Sequence, residues 1–548
     1  MGNGIATASV ALIREARLPL TDRLGDGLSA PCDVVIADGR IAQIKPSGQR
    51  ADVTAGRLVL EAAGRVLMPG FIDAHCHAAA AVFEPNIQLA LLRQGVTTVV
   101  VGQDGIGYAP SDQISLEWSQ QYFAGIDGAS PRVKPGSLAA WLASYDAQTP
   151  LNVAALVPHG SLRYLVAGAA QRPSTDTEIA RMCRILDVAL LEGAAGLSTG
   201  LEYVPAAWAG RDEMVALLRV VARHGRVHSS HMRGYEAAAP GAVAELVDWA
   251  KATGVATHIA HYHGDSSILG GLLHDARQAG VPLTFDSYCY LRGASLLSMV
   301  SLPTWLPLAD PAATLALLAN DSGVQTRLAD HLAGLADLWP RTSLAWADGA
   351  DPVDGRGLDW VAGLGLPVIA ARLGVEEAEA VRRLLVGTRL RAACIFTQPP
   401  TNSAESVMAL ADRAEHMAGS DAIYVPFGSD GADSGRPHPR GWGGVVRWLA
   451  EKTIRGDSWT WGEATQHLAS RAADRFSLGD RGRIAVGAVA DLILVDPATT
   501  ADRATYEEPR ALATGIDDVL VAGVPVLAGG DLTGHFPGKG IRSQGGAR

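Results

Sequence analysis

The sequence predicts an α/β chain: a (β/α)8 TIM-like barrel carrying a small β-sandwich domain formed from both termini. Two patterns predict it. Eight short β-like runs alternate with helical stretches through the middle of the 548 residues, which is the rhythm of a closed parallel barrel. Both ends instead carry alternating apolar runs punctuated by glycine, the signature of antiparallel strands. The expected division is 1–66 for the N-terminal part of the sandwich, 67–480 for the barrel and 481–548 for the C-terminal part.

Taken in order, "CDVVIADGRIAQIKP" reads as a hairpin with Asp38-Gly39 at its turn. The eight barrel runs are "GFIDAHCH", "TTVVVGQD", "NVAALVPHG", "AAGLSTGLE", "GRVHSSHM", "VATHIAHYH", "PLTFDSYCY" and "AIYVPFGSD". Between the early runs lie amphipathic helices such as "EPNIQLALLRQG", "TDTEIARMCRILDVALLEG", "RDEMVALLRVVARHG" and "GAVAELVDWAKATG". A gap of about 130 residues, roughly 291–421, separates the seventh run from the eighth. It holds helical material of its own and reads as an insertion over the barrel mouth. After the barrel, "GRIAVGAVADLILVDP" and "DDVLVAGVPVLAGG" return to strands.

Composition excludes several function classes. The formal net charge is −11 and no lysine/arginine run occurs, which argues against a nucleic-acid partner. No apolar stretch approaches the roughly 20 residues of a membrane span. The N-terminus lacks the basic and apolar segments of a signal peptide. Five scattered cysteines suggest no disulfide framework and a cytoplasmic location. The expected partner is a small molecule, and a homo-oligomer is compatible with the sequence.

The chemistry sits at strand ends. Alternate residues of a strand share a face, so Asp73, His75 and His77 are expected to point one way and Cys76 the other. Asp104, Glu202, His231, His261 with His263, Tyr288 with Tyr290, and Asp430 end other runs. Imidazoles and carboxylates converging on the C-terminal mouth of a barrel are the donors a divalent transition metal needs. His228 and His258 have the opposite parity and are expected to face the surrounding helices. Cys76 and Cys289 read as packed, inert thiols.

The stretches "PGFIDAHCH", "QGVTTVVVGQDG", "LVPHGSLR", "GLSTGLEYVPA", "SSHMRG", "FDSYCYLRGAS", "GSDG…PHPR" and "GRIAVGAVADLILVDP" resemble the amidohydrolase superfamily, and within it the N-acyl-D-amino-acid deacylase branch. The resemblance implies a divalent metal centre, zinc in one or two ions. His75 and His77 match its first-strand ligands, His231 and His261 its second histidine pair, and Asp430 its eighth-strand aspartate and general acid/base. In the family, a metal-activated water attacks the amide of an N-acyl-D-amino acid and releases a carboxylate and an amine. Two departures stand out. The family's cysteine ligand in a "GNCG" turn is Asp104 here, in "GQDG". Asp104 is expected either to ligate in the cysteine's place, with Glu202 as a second carboxylate candidate, or only to cap its turn. The family's "SHxK" lysine is replaced by His263 in "AHYH", leaving Tyr288, His263, Arg233 and Arg440 as candidate substrate contacts. Asp73 is expected to orient a ligand imidazole. A cyclic or dipeptide-like amide is the alternative substrate, and a non-catalytic barrel scaffold the alternative role.

Overall fold

The computed structural model describes residues 9–20, 27–49, 58–130, 132–425, 435–456 and 458–543. Eight strands form the barrel, numbered here β1 to β8: Phe71–Asp73, Val96–Val101, Asn152–Pro158, Gly196–Gly200, Val227–His231, Ala256–Ile259, Thr284–Ser287 and His416–Ala418. All are parallel, and each pairs with the next in sequence. Two backbone hydrogen bonds close the ring between β8 and β1. The Ala74 amide donates to the Ala418 carbonyl (3.1 Å), and the Asp421 amide donates to the His75 carbonyl (2.8 Å). Just beyond, Ala422–Ile423 runs parallel to Cys76–His77.

The strands form where β-branched and small apolar residues can be buried on both faces, as in "VTTVVV" of β2. Ile72, Val100, Ala154, Leu156, Val227 and Met417 pack together in one cluster with Phe476. Their chain neighbours Phe71, Val99, Val101, Val153, Ala155 and Val157 belong to the larger core that includes the helices. This alternation has the period of two that a pleated strand imposes. The helix at Asp176–Leu191 starts with a capping box: Thr175 Oγ1 accepts from the Glu178 amide, and the Glu178 carboxylate accepts from the Thr175 amide.

Segments from both ends of the chain build two sheets over one core. Val10–Ala16, Cys32–Ala37, Arg40–Pro46 and Leu58–Glu61 form one sheet. Val66–Pro69, Leu492–Val495, Ile516–Val521, Val524–Ala528 and Asp531–Leu532 form the other. Val10, Ile13, Val34, Ile36, Leu492 and Leu494 meet between them. Asp38 and Gly39 turn the first hairpin with φ of 51° and 73°, the left-handed pair that a tight two-residue turn requires.

Two features, the eighth strand and the facing of Asp73, differ from the sequence expectation, and the insertion carries more structure than its helical runs show. The eighth strand is His416–Ala418, not the apolar run 422–430. A three-residue strand has too few positions for a period to show, and the longer run drew the assignment instead. The segment between β7 and β8 has a core of its own, with Leu297, Leu328, Trp339, Leu366, Leu384 and Cys394, and a sheet of Arg292–Leu296, Thr342–Trp346 and Ala393–Thr397. Asp73 does not share a face with His75 and His77. Ile72 and Ala74 both pack in the strand cluster with Phe476, so Asp73 between them points the other way, and the break in the strand after Asp73 resets the phase. No helix among the described residues is long and apolar enough to cross a membrane.

Asp73 instead fastens β1 to the end of β8. Its carboxylate accepts from the Ser420 amide (2.8 Å) and the Ser420 hydroxyl (2.5 Å). Burial raises its pKa to about 6 against these bonds. Asp73→Ala is expected to cost about 1–3 kcal/mol, because it leaves a buried amide without its acceptor. Asp73→Asn, which keeps an acceptor there, should retain most of that stability. Chemical denaturation of the two variants measures the difference.

Candidate metal centre at the barrel mouth

The candidate residues meet at the C-terminal mouth around one carboxylate. Asp104 sits in the turn after β2 with φ of 55°, a left-handed conformation that aspartate tolerates better than most residues. The turn lies against β4. A Cβ on Gly200 would fall 2.0 Å from the Asp104 carbonyl oxygen, so only glycine admits this approach.

Two donor clusters share Asp104. The first is His75, His77, Asp104 and Asp421; the second is Asp104, His231 and His261; within each, the candidate donor atoms lie within 4.8 Å of one another. His75 Nε2 is 3.6 Å from both Asp104 Oδ1 and Asp421 Oδ1. His77 Nε2 is 3.5 Å from Asp104 Oδ2 and 3.3 Å from Asp421 Oδ1. His261 Nε2 and His231 Nδ1 lie 3.6 and 3.8 Å from Asp104 Oδ1 and 2.9 Å from each other.

These separations fit a metal. Two donors each about 2.1 Å from a tetrahedral ion are about 3.4 Å apart. His75 Nε2 and Asp104 Oδ1 are buried without a hydrogen-bond partner, a costly state for polar atoms that have no other role. Asp104 therefore does not cap its turn through Oδ1. The charge balance points the same way. Burial lowers the His75 pKa, but Asp104 and Asp286 more than offset it and raise it to about 10. Burial also opposes protonation of His77, which Asp104, Asp127 and Asp421 raise well above the usual imidazole range. A pocket this rich in carboxylates holds cations, and a divalent ion can displace those protons.

A second set of carboxylates orients the imidazoles from behind, the arrangement that fixes tautomer and ring direction at metal sites. Asp127 Oδ1 lies 3.0 Å from His77 Nδ1. Asp286 lies 3.5 Å from His75 Nδ1 and 2.9 Å from His258 Nε2, and it accepts from the His261 amide at 2.9 Å. That last bond holds His261 at φ of 36°, a strained position for a residue with a side chain. Glu202 Oε2 lies 2.9 Å from His231 Nε2, so Glu202 orients His231 and does not join either donor cluster.

Other expectations are also revised. Asp430 lies outside the described residues; Asp421 follows β8 by three residues and lies in the first donor cluster. Its second oxygen lies 2.9 Å from Arg440 Nη1. Arg440 is fully buried and stacks on Tyr288, with its guanidinium carbon 4.5 Å from the ring centre. It stands behind Asp421 and is not part of the cavity lining. Arg233 is likewise absent from that lining: it braces Glu245 and the carbonyls of Ala207 and Ala209. His258 does not face the helices, because Asp286 holds it behind His75. His228 does face them, with its ring 6.4 Å from that of Trp249. Tyr288 and His263 line the cavity, and His263 Nδ1 donates to the His261 carbonyl at 2.7 Å.

The sequence reading missed Asp286, Asp127 and Asp421. Asp286 had a signal, a lone charge in "PLTFDSYCY" with the parity of Tyr288. Asp421 is the first of two Gly-Ser-Asp triplets, 419–421 and 428–430, and only the strand position separates them. Asp127 sits in a loop with no periodic signal.

The amidohydrolase family model matches residues 58–295 and 412–527. The chain belongs to the amidohydrolase family. It is similar to N-acyl-D-glutamate deacylase of Alcaligenes xylosoxydans xylosoxydans, with 31% identity over 94% of each chain. D-aminoacylase of the same organism is 30% identical over 94% of this chain and 95% of its own. Among solved structures, N-acyl-D-glutamate deacylase from Bordetella bronchiseptica, complexed with zinc and a phosphonate mimic of the tetrahedral intermediate, has a TM-score of 0.76 at 28% identity. That alignment covers 97% of this chain and 99% of that one. A crystal structure of D-aminoacylase has a TM-score of 0.74 at 26% identity, covering 96% and 98%. The family match skips residues 296–411, which hold all of the insertion's core.

If Asp104 is the shared ligand, Asp104→Ala should strip metal from both clusters. Asp104→Cys should restore binding and move preference toward cadmium and away from manganese, since thiolate is the softer donor. Glu202→Gln should weaken affinity by roughly 10–100-fold without abolishing binding, as for other orienting partners. Metal stoichiometry and chelator competition on purified variants test all three. Full occupancy in Asp104→Ala would refute the assignment.

Proposed function

We propose that this chain is a metal-dependent N-acyl-D-amino-acid deacylase, hydrolysing the amide to a carboxylate and a free D-amino acid. The observation that carries the reading is the Asp104-centred donor set, opening on a cavity of about 500 Å³. Its support is a chain aligned nearly end to end with deacylases. His75, His77, Asp104 and Asp421 would hold one divalent metal, and Asp104, His231 and His261 a second, with zinc favoured by the B. bronchiseptica complex. Bound there, the metal supplies a Lewis acid for the amide carbonyl and acidifies water.

This chain's own residues then divide the work. Asp421 takes the role expected of Asp430. Burial opposes its ionisation, but Arg440, His77, His261 and His75 hold the carboxylate well below the usual range. It is therefore ionised at neutral pH, accepts the proton of the attacking water and returns it to the leaving nitrogen. Arg440 fixes the direction of that carboxylate from the protein side. Burial pushes the Tyr288 phenol up to about 12, so it stays protonated. Its oxygen accepts from Gln398 Nε2 at 3.1 Å, which leaves the O–H to donate to the oxyanion forming in the cavity. The five free cysteines support the cytoplasmic placement.

Metal-replete protein should release free amine from N-acetyl-D-amino acids and spare the L-enantiomers, read by a chiral amine assay. Asp421→Asn should lower kcat by roughly 10²–10⁴, the range for a lost general base, with metal retained by the His231 and His261 cluster. Asp430→Asn should stay near the parent kcat. The reverse pattern would return the proton-transfer role to Asp430.

A further inference from the structure

We propose that the cavity selects N-acyl-D-amino acids with an uncharged, apolar side chain and rejects those carrying a second carboxylate. The inference rests on the deacylase reading above and adds the substrate class. The relatives include deacylases of both N-acyl-D-glutamate and N-acyl-D-aspartate, so similarity alone does not choose. The cavity does.

One wall of the cavity carries Asp104, Glu202 and Asp421 with the imidazoles. Another comes from the segment that the family match does not cover. Met299, Val300, Leu302, Leu390 and Phe396 line it, with Ile126 from the loop between β2 and β3. Among the described residues lining the cavity there is no lysine or arginine. Residues 426–434, which follow the last described residue of that stretch, read "PFGSDGADS" and contain none either. Arg440 is ion-paired with Asp421 behind the cavity lining, and Arg233 is held by Glu245 and backbone carbonyls. Arg389 and Arg391 flank Leu390 but line an adjoining groove, which meets the cavity at Gln121, and neither lines the cavity itself.

An acidic side chain lying against this wall would meet aliphatic and aromatic surface with no lysine or arginine among the described lining residues to pair it, because Asp104 and Asp421 face the candidate metal centre and not the wall. Burying a carboxylate without a partner is among the most expensive desolvations a site can impose. A leucine or methionine side chain meets the same wall favourably, through burial of apolar area. The α-carboxylate is common to all these substrates, so it does not discriminate; only the second charge does.

The test compares kcat/KM of the full-length, metal-replete enzyme on the N-acetyl derivatives of D-leucine, D-methionine, D-glutamate and D-aspartate. The neutral pair should exceed the acidic pair by on the order of 100-fold, the scale of an uncompensated buried charge. Met299→Arg should move that ratio toward the acidic pair. Met299 packs against the cluster that holds Phe123 and Ile126, so Thr304→Arg, on an exposed lining position, serves if the first variant fails to fold. Metal content and circular dichroism establish that each variant is intact. Equal or higher kcat/KM on the acidic pair would overturn the inference while leaving the deacylase reading in place. No turnover of any N-acyl-D-amino acid would overturn that reading and the inference with it.

Discussion

The mouth of this barrel is organised around the Asp104 carboxylate, which lies within 4 Å of a ring nitrogen of each of four histidines. The four come from the end of β1 and from the ends of β5 and β6, on different parts of the ring. They can address one small space only if a short acid is pushed to its centre. The left-handed turn after β2 does this, and it is possible because β4 ends in a glycine at the point of contact. A carboxylate has two oxygens, so one side chain can belong to both clusters. Three of the four imidazoles are also backed by an acid on the far nitrogen: Asp286 for His75, Asp127 for His77, and Glu202 for His231. These contacts decide which nitrogen faces the centre.

Barrel closure is the second constraint. β8 has only three residues, and its hold on β1 rests on a few backbone hydrogen bonds and the Asp73–Ser420 pair. The same closure places Asp421, whose amide donates to His75. The acid and the first histidine pair are thus positioned by one piece of backbone. Arg440, arriving from the helix at Arg440–Leu449, neutralises the acid from the buried side. The stability of the ring and the geometry of the chemistry are hard to separate here, since both depend on the same strand junction.

The cavity divides its labour between two parts of the chain. The barrel supplies the candidate donors, and the insertion supplies much of the apolar wall. The insertion has a separate core, and it meets the barrel mouth through Leu296 and Met299, which pack in one cluster with Ile126 and Ile423.

The alternation of β-like and helical runs, the glycine-punctuated ends and the HxH on the first strand were enough to determine the barrel and the sandwich. They also brought out His75, His77, Asp104, His231 and His261. These signals are local: strand and helix periods, turn chemistry and residues at strand ends are written within a few positions of one another. What the tertiary structure alone decided is which strand end is which, and what stands behind each imidazole. Two Gly-Ser-Asp triplets look alike in sequence, and the register of a three-residue strand against β1 puts Asp421 among the donors. Asp286 and Asp127 reach their histidines from 211 and 50 positions away. Arg233 and Arg440 look like free cations in a sequence, yet both are spent on contacts inside the protein. Such pairings depend on distances through space between segments whose separation along the chain carries no period, so only packing could settle them.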